Sequence, residues 1–289
     1  MTLAFSPLHP IFAALAKGIE LSVPLDLGVV REIEAAMDQY AVLVFRDQLI
    51  DQVQQLAFTR NFGPLDPGRH LAVRQHRRVR PEFADVSNLD EEGRVAGRDH
   101  RRILSNMATR LWHTDSSYKK PAAKFSLLYC SAIPNWGGET EFADMRAAYD
   151  ALPDRLRAEA EGREVEHYVH HSRATLGFAP SEDEIAGAIP PVTWPLVRTH
   201  AGSGRKVLYI GSHATRVLGL SLPEGRVLLS DLLEHATQRQ FVYRHEWKPG
   251  DLVMWDNRAV LHRGRRYDLA QRRDMRRSTV EDALPADVG

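Results

Sequence analysis

The chain has 289 residues, a length that suits one large domain or two small ones. Hydrophobic residues make up 43% and charged residues 26%, a composition typical of a globular protein with a substantial core, and it excludes global disorder. Lysine plus arginine and aspartate plus glutamate are equal at 38 each, so there is no bulk positive charge and we expect no nucleic-acid partner.

Nothing in the sequence indicates a membrane-directed segment. The first residues lack a basic stretch, and Lys17 and Glu20 interrupt their apolar run, so we expect no signal peptide. No stretch approaches the roughly 18 uncharged apolar residues needed to span a bilayer. The single cysteine, Cys130, can form no internal disulfide and is expected to be a buried, unreactive thiol. These features predict a cytoplasmic protein.

Helices and strands alternate in the first part of the chain. The spacing of apolar residues predicts a helix that ends near Tyr40, a strand over Ala41–Phe45, and a second helix that begins near Asp51 and stops at Gly63. Residues 66–110 are charged, rich in arginine and weakly periodic. They predict a long solvated loop with room for one hairpin, although loops of this length in compact domains are often lids over sites.

Strands dominate the rest of the chain, with helices between them. In chain order, the sequence predicts a strand in "AKFSLLYCSAI", a helix pair with Asp144 as N-cap and Pro153 opening the second helix, and a hairpin around "AGSGRK". An amphipathic helix follows, with an apolar stripe made of Leu228, Leu229, Leu232, Leu233 and Ala236. The last predicted strands lie in "FVYRHEW", "LVMW", "AVLHRG" and "RRDMRRSTV".

This order of elements predicts a mainly β protein with α insertions. Strands occur in both halves, without the regular strand–helix alternation of a parallel α/β fold. Neither an internal repeat nor a low-complexity linker divides the chain. We therefore predict a single domain over residues 1–289, with a double-stranded β-helix (jelly-roll) core flanked by helices and a lid-like loop around 66–110.

The stretch "LWHTDSSY" contains a candidate metal site, His113 and Asp115. In a chain with 13 histidines, about one such His-x-Asp triplet is expected by chance, so the motif alone is weak. On an extended segment, however, the two side chains share a face, with Cα atoms roughly 7 Å apart. One imidazole and one carboxylate are two corners of a 2-His-1-carboxylate facial triad, which leaves open positions on Fe(II).

His262 is the best-placed candidate for the third corner, because it lies on a late apolar strand just after a tight turn. The alternative for a lone strand histidine is a hydrogen-bonded residue of the core or its rim. In the arginine-rich segment that follows, Arg273 and Arg277 share a face with Met275, and Arg276 points to the other side. Two inward arginines suit a dicarboxylate co-substrate, but a solvated basic edge strand explains the pattern equally well.

Four segments resemble the taurine dioxygenase family of Fe(II)/2-oxoglutarate oxygenases: "LWHTDSSY", "GGETEFADMRAAYDALP", "WPLVRTHAGSGRKVLYIGSHA" and "HEWKPGDLVMWDNRAVLHRGRRYD". They are most similar to the branch that acts on 2,4-dichlorophenoxyacetate (2,4-D). The resemblance extends over nearly the whole chain, with order and spacing kept. Glu139 departs from the family pattern, in which aspartate is expected, but this change leaves Thr140 in place.

The resemblance implies a role for several residues. It implies three iron ligands: His113, Asp115 and His262. Arg273 is implied as the partner of the distal carboxylate of 2-oxoglutarate, with Thr140 and Arg277 near its metal-binding end. His213 is implied to hold the substrate carboxylate. His200 is a weaker candidate for substrate binding, and a surface position beside a turn is its alternative.

The resemblance also implies an activity. A dioxygenase that uses Fe(II), 2-oxoglutarate and O₂ would hydroxylate the carbon beside the ether oxygen of phenoxyacetate-type acids such as 2,4-D. The products would be a phenol and glyoxylate, with succinate and CO₂ from 2-oxoglutarate. We therefore expect a small anionic aryloxy acid as partner, no membrane partner, and a homo-oligomer.

Two alternatives stay open from the sequence. The same machinery suits another anion: taurine or another sulfonate, an aryloxypropionate, or a natural aromatic acid. A protein of a different class, a non-catalytic jelly roll that binds a small acid, would use its histidines structurally or to hold Zn²⁺. Structural zinc normally takes four protein ligands, which the proposed set of three does not supply.

Overall fold

The computed structural model describes residues 2–67, 78–179 and 189–282. The strands in these ranges are β1 Ala4–Pro7, β2 Ala14–Lys17, β3 Val42–Phe45, β4 Ala84–Asp85, β5 Ala123–Ala132, β6 Thr140–Asp144, β7 Glu164–His167, β8 Val192–Pro195, β9 Val197–Thr199, β10 Lys206–Leu208, β11 Ala214–Val217, β12 Val242–His245, β13 Leu252–Asp256, β14 Val260–Gly264 and β15 Asp274–Glu281. The α-helices are α1 Leu27–Tyr40, α2 Gln52–Arg60, α3 Arg101–Asn106, α4 Met145–Asp150, α5 Asp154–Ala160, α6 His171–Ala174 and α7 Leu222–Ala236. Short 3₁₀ helices lie at Met107–Arg110 and Arg239–Phe241.

Two sheets form the centre of the fold. The larger sheet has seven strands in the order β1-β2-β3-β13-β5-β15-β4, and the smaller has the order β12-β6-β14. Because β12, β13 and β14 follow one another in the chain but alternate between the two sheets, the chain winds as a jelly roll. The predicted fold class is confirmed. Two further groups of strands, β11-β7-β8 and β10-β9, lie outside these sheets, and the second is the predicted hairpin.

The central core lies between the two sheets. Val44, Leu128 and Val253 of the large sheet belong to one buried cluster with Phe142 and Val260 of the small sheet. The other face of the large sheet packs against α1 and α2 through alternate residues of the same strands: Leu43, Phe45, Leu127, Leu252 and Met254. Since both faces are covered, these strands appear in the sequence as continuous apolar runs instead of alternating patterns.

Local capping fixes where the helices begin. The Asp51 side chain accepts a hydrogen bond from the Gln54 backbone N–H in a capping box, and Asp144 accepts from the first backbone N–H groups of α4 as predicted. Pro153 directly precedes α5. Ala41, predicted as the first strand residue, instead ends α1 in a left-handed conformation with φ 57°. The strand therefore begins at Val42.

The predicted loop over residues 66–110 is more structured than its composition suggested. Residues 68–77 lie outside the described ranges. The described remainder contains β4, which pairs with β15, and α3, and it buries Phe83 and Leu89. Its function as a lid stays a prediction, as does the single-domain division. No helix in the described ranges is long and apolar enough to cross a membrane.

Candidate active site

The three predicted metal ligands meet between the two sheets. His113 and Asp115 lie just before β5, and His262 lies within β14. The backbones of His113 and His262 are directly opposite each other, with N–H···O distances of 3.0 and 2.8 Å. All three side chains are buried, and one ligand atom of each lies within 4.8 Å of the others.

The histidine rings are oriented as metal ligands require. The Nδ1 of His113 lies 2.8 Å from the carbonyl oxygen of Leu111, which can only accept, so Nδ1 carries the proton and Nε2 keeps its lone pair. Nε2 of His113 and Nε2 of His262 lie 3.9 and 3.7 Å from the Asp115 carboxylate, too far for hydrogen bonds. Burial lowers the pKa of both histidines, which keeps the rings neutral. Two neutral imidazoles and one carboxylate fit a divalent metal ion.

Asp115 is held on both carboxylate oxygens. Ser126 Oγ donates a hydrogen bond of 2.7 Å to Oδ2, and the Arg277 guanidinium forms an ion pair with Oδ1. Burial is the largest single effect and would raise the pKa of Asp115, but Arg277, the two histidines and the Ser126 hydrogen bond together outweigh it and lower the pKa well below its ordinary value. Asp115 is therefore ionised and available to bind a cation.

Arg273 is a buried cation directly before β15, the strand that carries Arg277. Its backbone N–H donates to Asn88 Oδ1 at 2.8 Å, its guanidinium donates to the Val86 carbonyl, and the Tyr267 ring lies 5.2 Å from it. Burial lowers the pKa of Arg273, and in the part of the chain that the structure describes no carboxylate lies within 4 Å of it. A buried cation without an anion is unfavourable, so the site fits one carboxylate of a bound dicarboxylate.

Arg277 and Arg276 lie on opposite faces of β15, as the strand period predicted. Arg277 faces Asp115, whereas Arg276 packs over the Tyr129 ring at 4.2 Å and donates to Gln55 Oε1 at 2.8 Å. The solvated edge-strand alternative is wrong, because β15 lies between β5 and β4.

The strand register locates Thr140. Thr140 pairs with Gly264, two residues along the strand from the pair that joins Phe142 to His262. Gly138, two residues before Thr140, lies close to Arg273, since a Cβ placed on it would be 3.7 Å from the arginine Nε. The position of Thr140 near the metal-binding end of 2-oxoglutarate stays a prediction.

His213 is next to the metal-ligand group. Its buried ring makes edge contacts with His113, at 6.4 Å between ring centres, and with Tyr118, at 4.9 Å. Burial lowers the pKa of His213 well below its ordinary value, and its Nδ1 has no hydrogen-bond partner among the described residues. A neutral imidazole with an unused nitrogen at this position is suited to contact a substrate.

His200 lies in a second buried group instead. Its Nε2 is 3.0 Å from Asp256 Oδ2, and its Nδ1 is 2.8 Å from Ser203 Oγ. Asp38 completes this group, and Arg258 binds both oxygens of Asp256. The surface position predicted as the alternative is wrong, because His200 is 2% exposed. With both ring nitrogens occupied, the geometry does not support the predicted substrate contact.

Three neighbours of the metal-ligand group were missed from the sequence: Tyr118, Ser126 and Asn257. Ser126 carried a signal, since it is a polar residue within the apolar run of β5, and such residues are usually hydrogen-bonded. Cys130 is buried as expected, and burial raises its pKa to about 12, which makes the thiol unreactive.

Comparison with known proteins agrees with this geometry. Residues 4–279 match the family model described as taurine catabolism dioxygenase TauD, TfdA family. The chain is 55% identical over 283 residues to the alpha-ketoglutarate-dependent 2,4-dichlorophenoxyacetate dioxygenase of Cupriavidus pinatubonensis, covering 98% of this chain and 99% of that protein. It is 37% identical to a (S)-phenoxypropionate/alpha-ketoglutarate-dioxygenase of Sphingobium herbicidovorans, covering 95% and 93%.

A solved structure is also close to this fold. AAD-2, crystallised with Mn(II) and N-oxalylglycine, superposes with a TM-score of 0.90 at 49% identity, covering 99% of this chain and 98% of that one. The chain belongs to the TauD/TfdA family. It is an Fe(II)-dependent dioxygenase that uses 2-oxoglutarate (alpha-ketoglutarate) and O₂.

Proposed function

We propose that this dioxygenase hydroxylates 2,4-D and related aryloxyacetic acids on the carbon beside the ether oxygen. The observation that supports the co-substrate site is Arg273, a buried cation directly before β15 that has no carboxylate partner among the described residues. The substrate assignment is supported by the 55% identity to the 2,4-D dioxygenase, against 37% for the phenoxypropionate enzyme.

His113, Asp115 and His262 would hold Fe(II) on one side and leave its other positions open. When bound, the iron with 2-oxoglutarate and O₂ supplies the oxidant that inserts one oxygen atom into a substrate C–H bond. Arg273 would neutralise the distal carboxylate of 2-oxoglutarate. Thr140 and Arg277, which reaches Asp115, would lie near the metal-binding end.

On the substrate side, His213 would donate a hydrogen bond to the aryloxy acid carboxylate. The Tyr118 ring, 4.9 Å from the imidazole, would pack against the aromatic part of the same molecule. Holding both ends of the acid fixes the carbon between them toward the metal ligands. Hydroxylation there makes a hemiacetal. As its ether C–O bond breaks, the hydroxyl proton passes to the phenol oxygen and the remaining fragment leaves as glyoxylate.

We also propose that the segment 66–110 covers the co-substrate end of the site. Two of its residues already contact Arg273: Val86 accepts from the guanidinium and Asn88 accepts from the backbone N–H. A cover at this end of the site would exclude water from the reaction. A cytoplasmic location and a homo-oligomeric state stay predictions.

The test is phenol release from 2,4-D with Fe(II), 2-oxoglutarate and O₂ each omitted in turn. We expect release only when all three are present, together with one succinate per phenol. Phenol formed without 2-oxoglutarate would contradict the mechanism. A panel of 2,4-D, both phenoxypropionate enantiomers and taurine then tests the substrate, because faster coupled succinate formation with another acid would overturn 2,4-D as the preferred one.

A further inference from the structure

A chain of buried hydrogen bonds begins and ends on Asp115. The Asn257 side chain, 2% exposed, accepts from the Asp115 backbone N–H at 3.1 Å and from the Trp255 indole N–H at 3.0 Å, both through Oδ1. Its Nδ2 donates to Ser126 Oγ at 3.0 Å. Ser126, which is fully buried, donates in turn to Asp115 Oδ2 at 2.7 Å.

The directions of these bonds are fixed by chemistry. Two N–H donors point at one end of the Asn257 amide, so that end must be the oxygen and the other must be the NH₂ group. Because the NH₂ group donates to Ser126 Oγ, the serine hydroxyl directs its own proton to Asp115. The orientation of the Asp115 carboxylate therefore depends on Asn257, which lies in the turn between β13 and β14. His262 follows the same turn, within β14.

We infer that Ser126 and Asn257 are positioning residues that hold the Asp115 carboxylate in its metal-binding orientation. This inference rests on Asp115 being a metal ligand, as proposed above. Ser126 and Arg277 hold opposite oxygens of the carboxylate. Without the serine hydroxyl, the carboxylate is free to turn toward the guanidinium fork of Arg277, which then competes with the metal for both oxygens.

The test is titration of the purified, metal-free protein with Mn(II). Binding is measured by calorimetry or by the electron paramagnetic resonance signal of free Mn(II). Ser126→Ala is expected to weaken Mn(II) binding by about tenfold to a hundredfold. Ser126→Cys keeps a weak donor of similar shape and is expected to recover part of the loss. The visible absorption of the anaerobic Fe(II)–2-oxoglutarate complex should shift in Ser126→Ala as well.

Ser278→Ala is the matched control. Ser278 is a fully buried serine on the neighbouring strand β15, but its hydroxyl lies 2.8 Å from Thr59 Oγ1, on the helix-covered face of the sheet. It should lower the melting temperature by about 2–4 °C, as Ser126→Ala does, and leave Mn(II) affinity unchanged. Equal losses of Mn(II) affinity in both variants, or no loss in Ser126→Ala, would overturn the inference.

Asn257→Ala tests whether the two residues act as one unit. If Asn257 acts through Ser126, the double variant loses no more Mn(II) affinity than the more affected single variant, whereas independent effects would multiply. Should Asn257→Ala fail to fold, Asn257→Asp replaces the NH₂ donor by an acceptor and must also weaken binding. Asp115→Ala distinguishes failure of this inference from failure of the proposed ligand set. Unchanged Mn(II) affinity in Asp115→Ala would refute the ligand set itself.

Discussion

The described part of the chain contains two groups of histidine and aspartate: two histidines and one aspartate, all buried, in the first, and one histidine and two aspartates, with Asp38 half-buried, in the second. In the first, His113, Asp115 and His262 lie within 4.8 Å of one another, and Asp38, His200 and Asp256 do the same in the second. Both contain an aspartate whose pKa lies well below its ordinary value, because a nearby arginine, histidines and side-chain hydrogen bonds together outweigh the effect of burial. The spacing of the ligand atoms and the low pKa of one aspartate therefore do not separate the two groups.

The hydrogen bonds of their histidines do separate them, whereas both oxygens of Asp115 and of Asp256 are bonded. In the second group, both His200 nitrogens have protein partners, and Arg258 donates to both oxygens of Asp256. In the first group, the Nε2 atoms of His113 and His262 face Asp115 from beyond hydrogen-bond distance. A group whose ligand atoms are already satisfied stabilises the fold, and a group whose ligand atoms converge without bonding one another is prepared for an ion.

The largest expected effect follows from removing the carboxylate of each group. Asp115→Ala should abolish turnover and weaken Mn(II) binding by more than about a hundredfold, since a direct ligand contributes more than its supporting contacts. Asp256→Asn should leave Mn(II) affinity unchanged and lower the free energy of unfolding by about 1.5–3 kcal/mol, because Arg258 loses one of its two carboxylate partners and keeps Asp282. Mn(II) titration measures the first effect and urea unfolding the second, on both variants. Loss of Mn(II) affinity in Asp256→Asn, with normal affinity in Asp115→Ala, would contradict the contrast.

Two arginines, Arg273 and Arg258, give the next contrast. Arg273→Gln should raise the KM for 2-oxoglutarate by about 10- to 150-fold, because a buried charged hydrogen bond contributes about 1.5–3 kcal/mol. Arg258→Gln should lower stability and leave this KM unchanged. Arg276→Gln is the control for loss of an arginine in this segment, because Arg276 lies on the helix-covered face of the sheet, and it should leave this KM unchanged. Steady-state succinate formation at varied 2-oxoglutarate is the measurement, and a normal KM in Arg273→Gln would remove the arginine from the site.

Only part of the metal-ligand group could be predicted from a local pattern. The two-residue spacing brings His113 and Asp115 together, although Asp115 lies in a turn and not on an extended strand, and the period of β15 directs Arg277 inward and Arg276 outward. His262 is distant in the sequence and was assigned from its strand position and the family resemblance. The period argument does not fully explain Arg273, since the register of β15 shifts between Asp274 and Met275. Arg273 points inward because Val86 and Asn88, from a distant segment, hold it there.

The second group could not be predicted, because its contacts are distant in sequence. His200 follows a short strand and precedes a glycine-containing turn, which indicated a surface position. It is buried because Asp256 and Asp38, from two other parts of the chain, close over it. The supporting contacts of Asp115 are distant in the same way: Asn257 reaches it from the far end of the sequence. Period and composition carry no information about such pairings.

A smaller effect concerns the pH dependence of stability, which reports the protonation of His213. Burial keeps His213 neutral in the folded chain, with a pKa well below its ordinary value of 6.5, while the unfolded chain takes up a proton near that value. The metal-free protein should therefore lose stability as pH falls below about 6.5, by up to about 1.4 kcal/mol per pH unit for this one group. His213→Gln should show a shallower slope in urea unfolding between about pH 7.5 and pH 5. Identical slopes would mean that His213 is protonated in the fold.

The smallest expected effect is that of His200→Gln, which decides whether the second group has any part in substrate binding. The change removes one of two ring hydrogen bonds and should lower the free energy of unfolding by about 1 kcal/mol. Because His200 contacts Asp256 and Ser203 instead of the metal-ligand group, the KM for 2,4-D should rise less than in His213→Gln, whose ring touches His113. Phenol release at varied 2,4-D, measured on both variants, compares them directly. A larger increase in the KM for 2,4-D in His200→Gln, with stability unchanged, would show that the group of Asp38, His200 and Asp256 helps to determine how the acid is held.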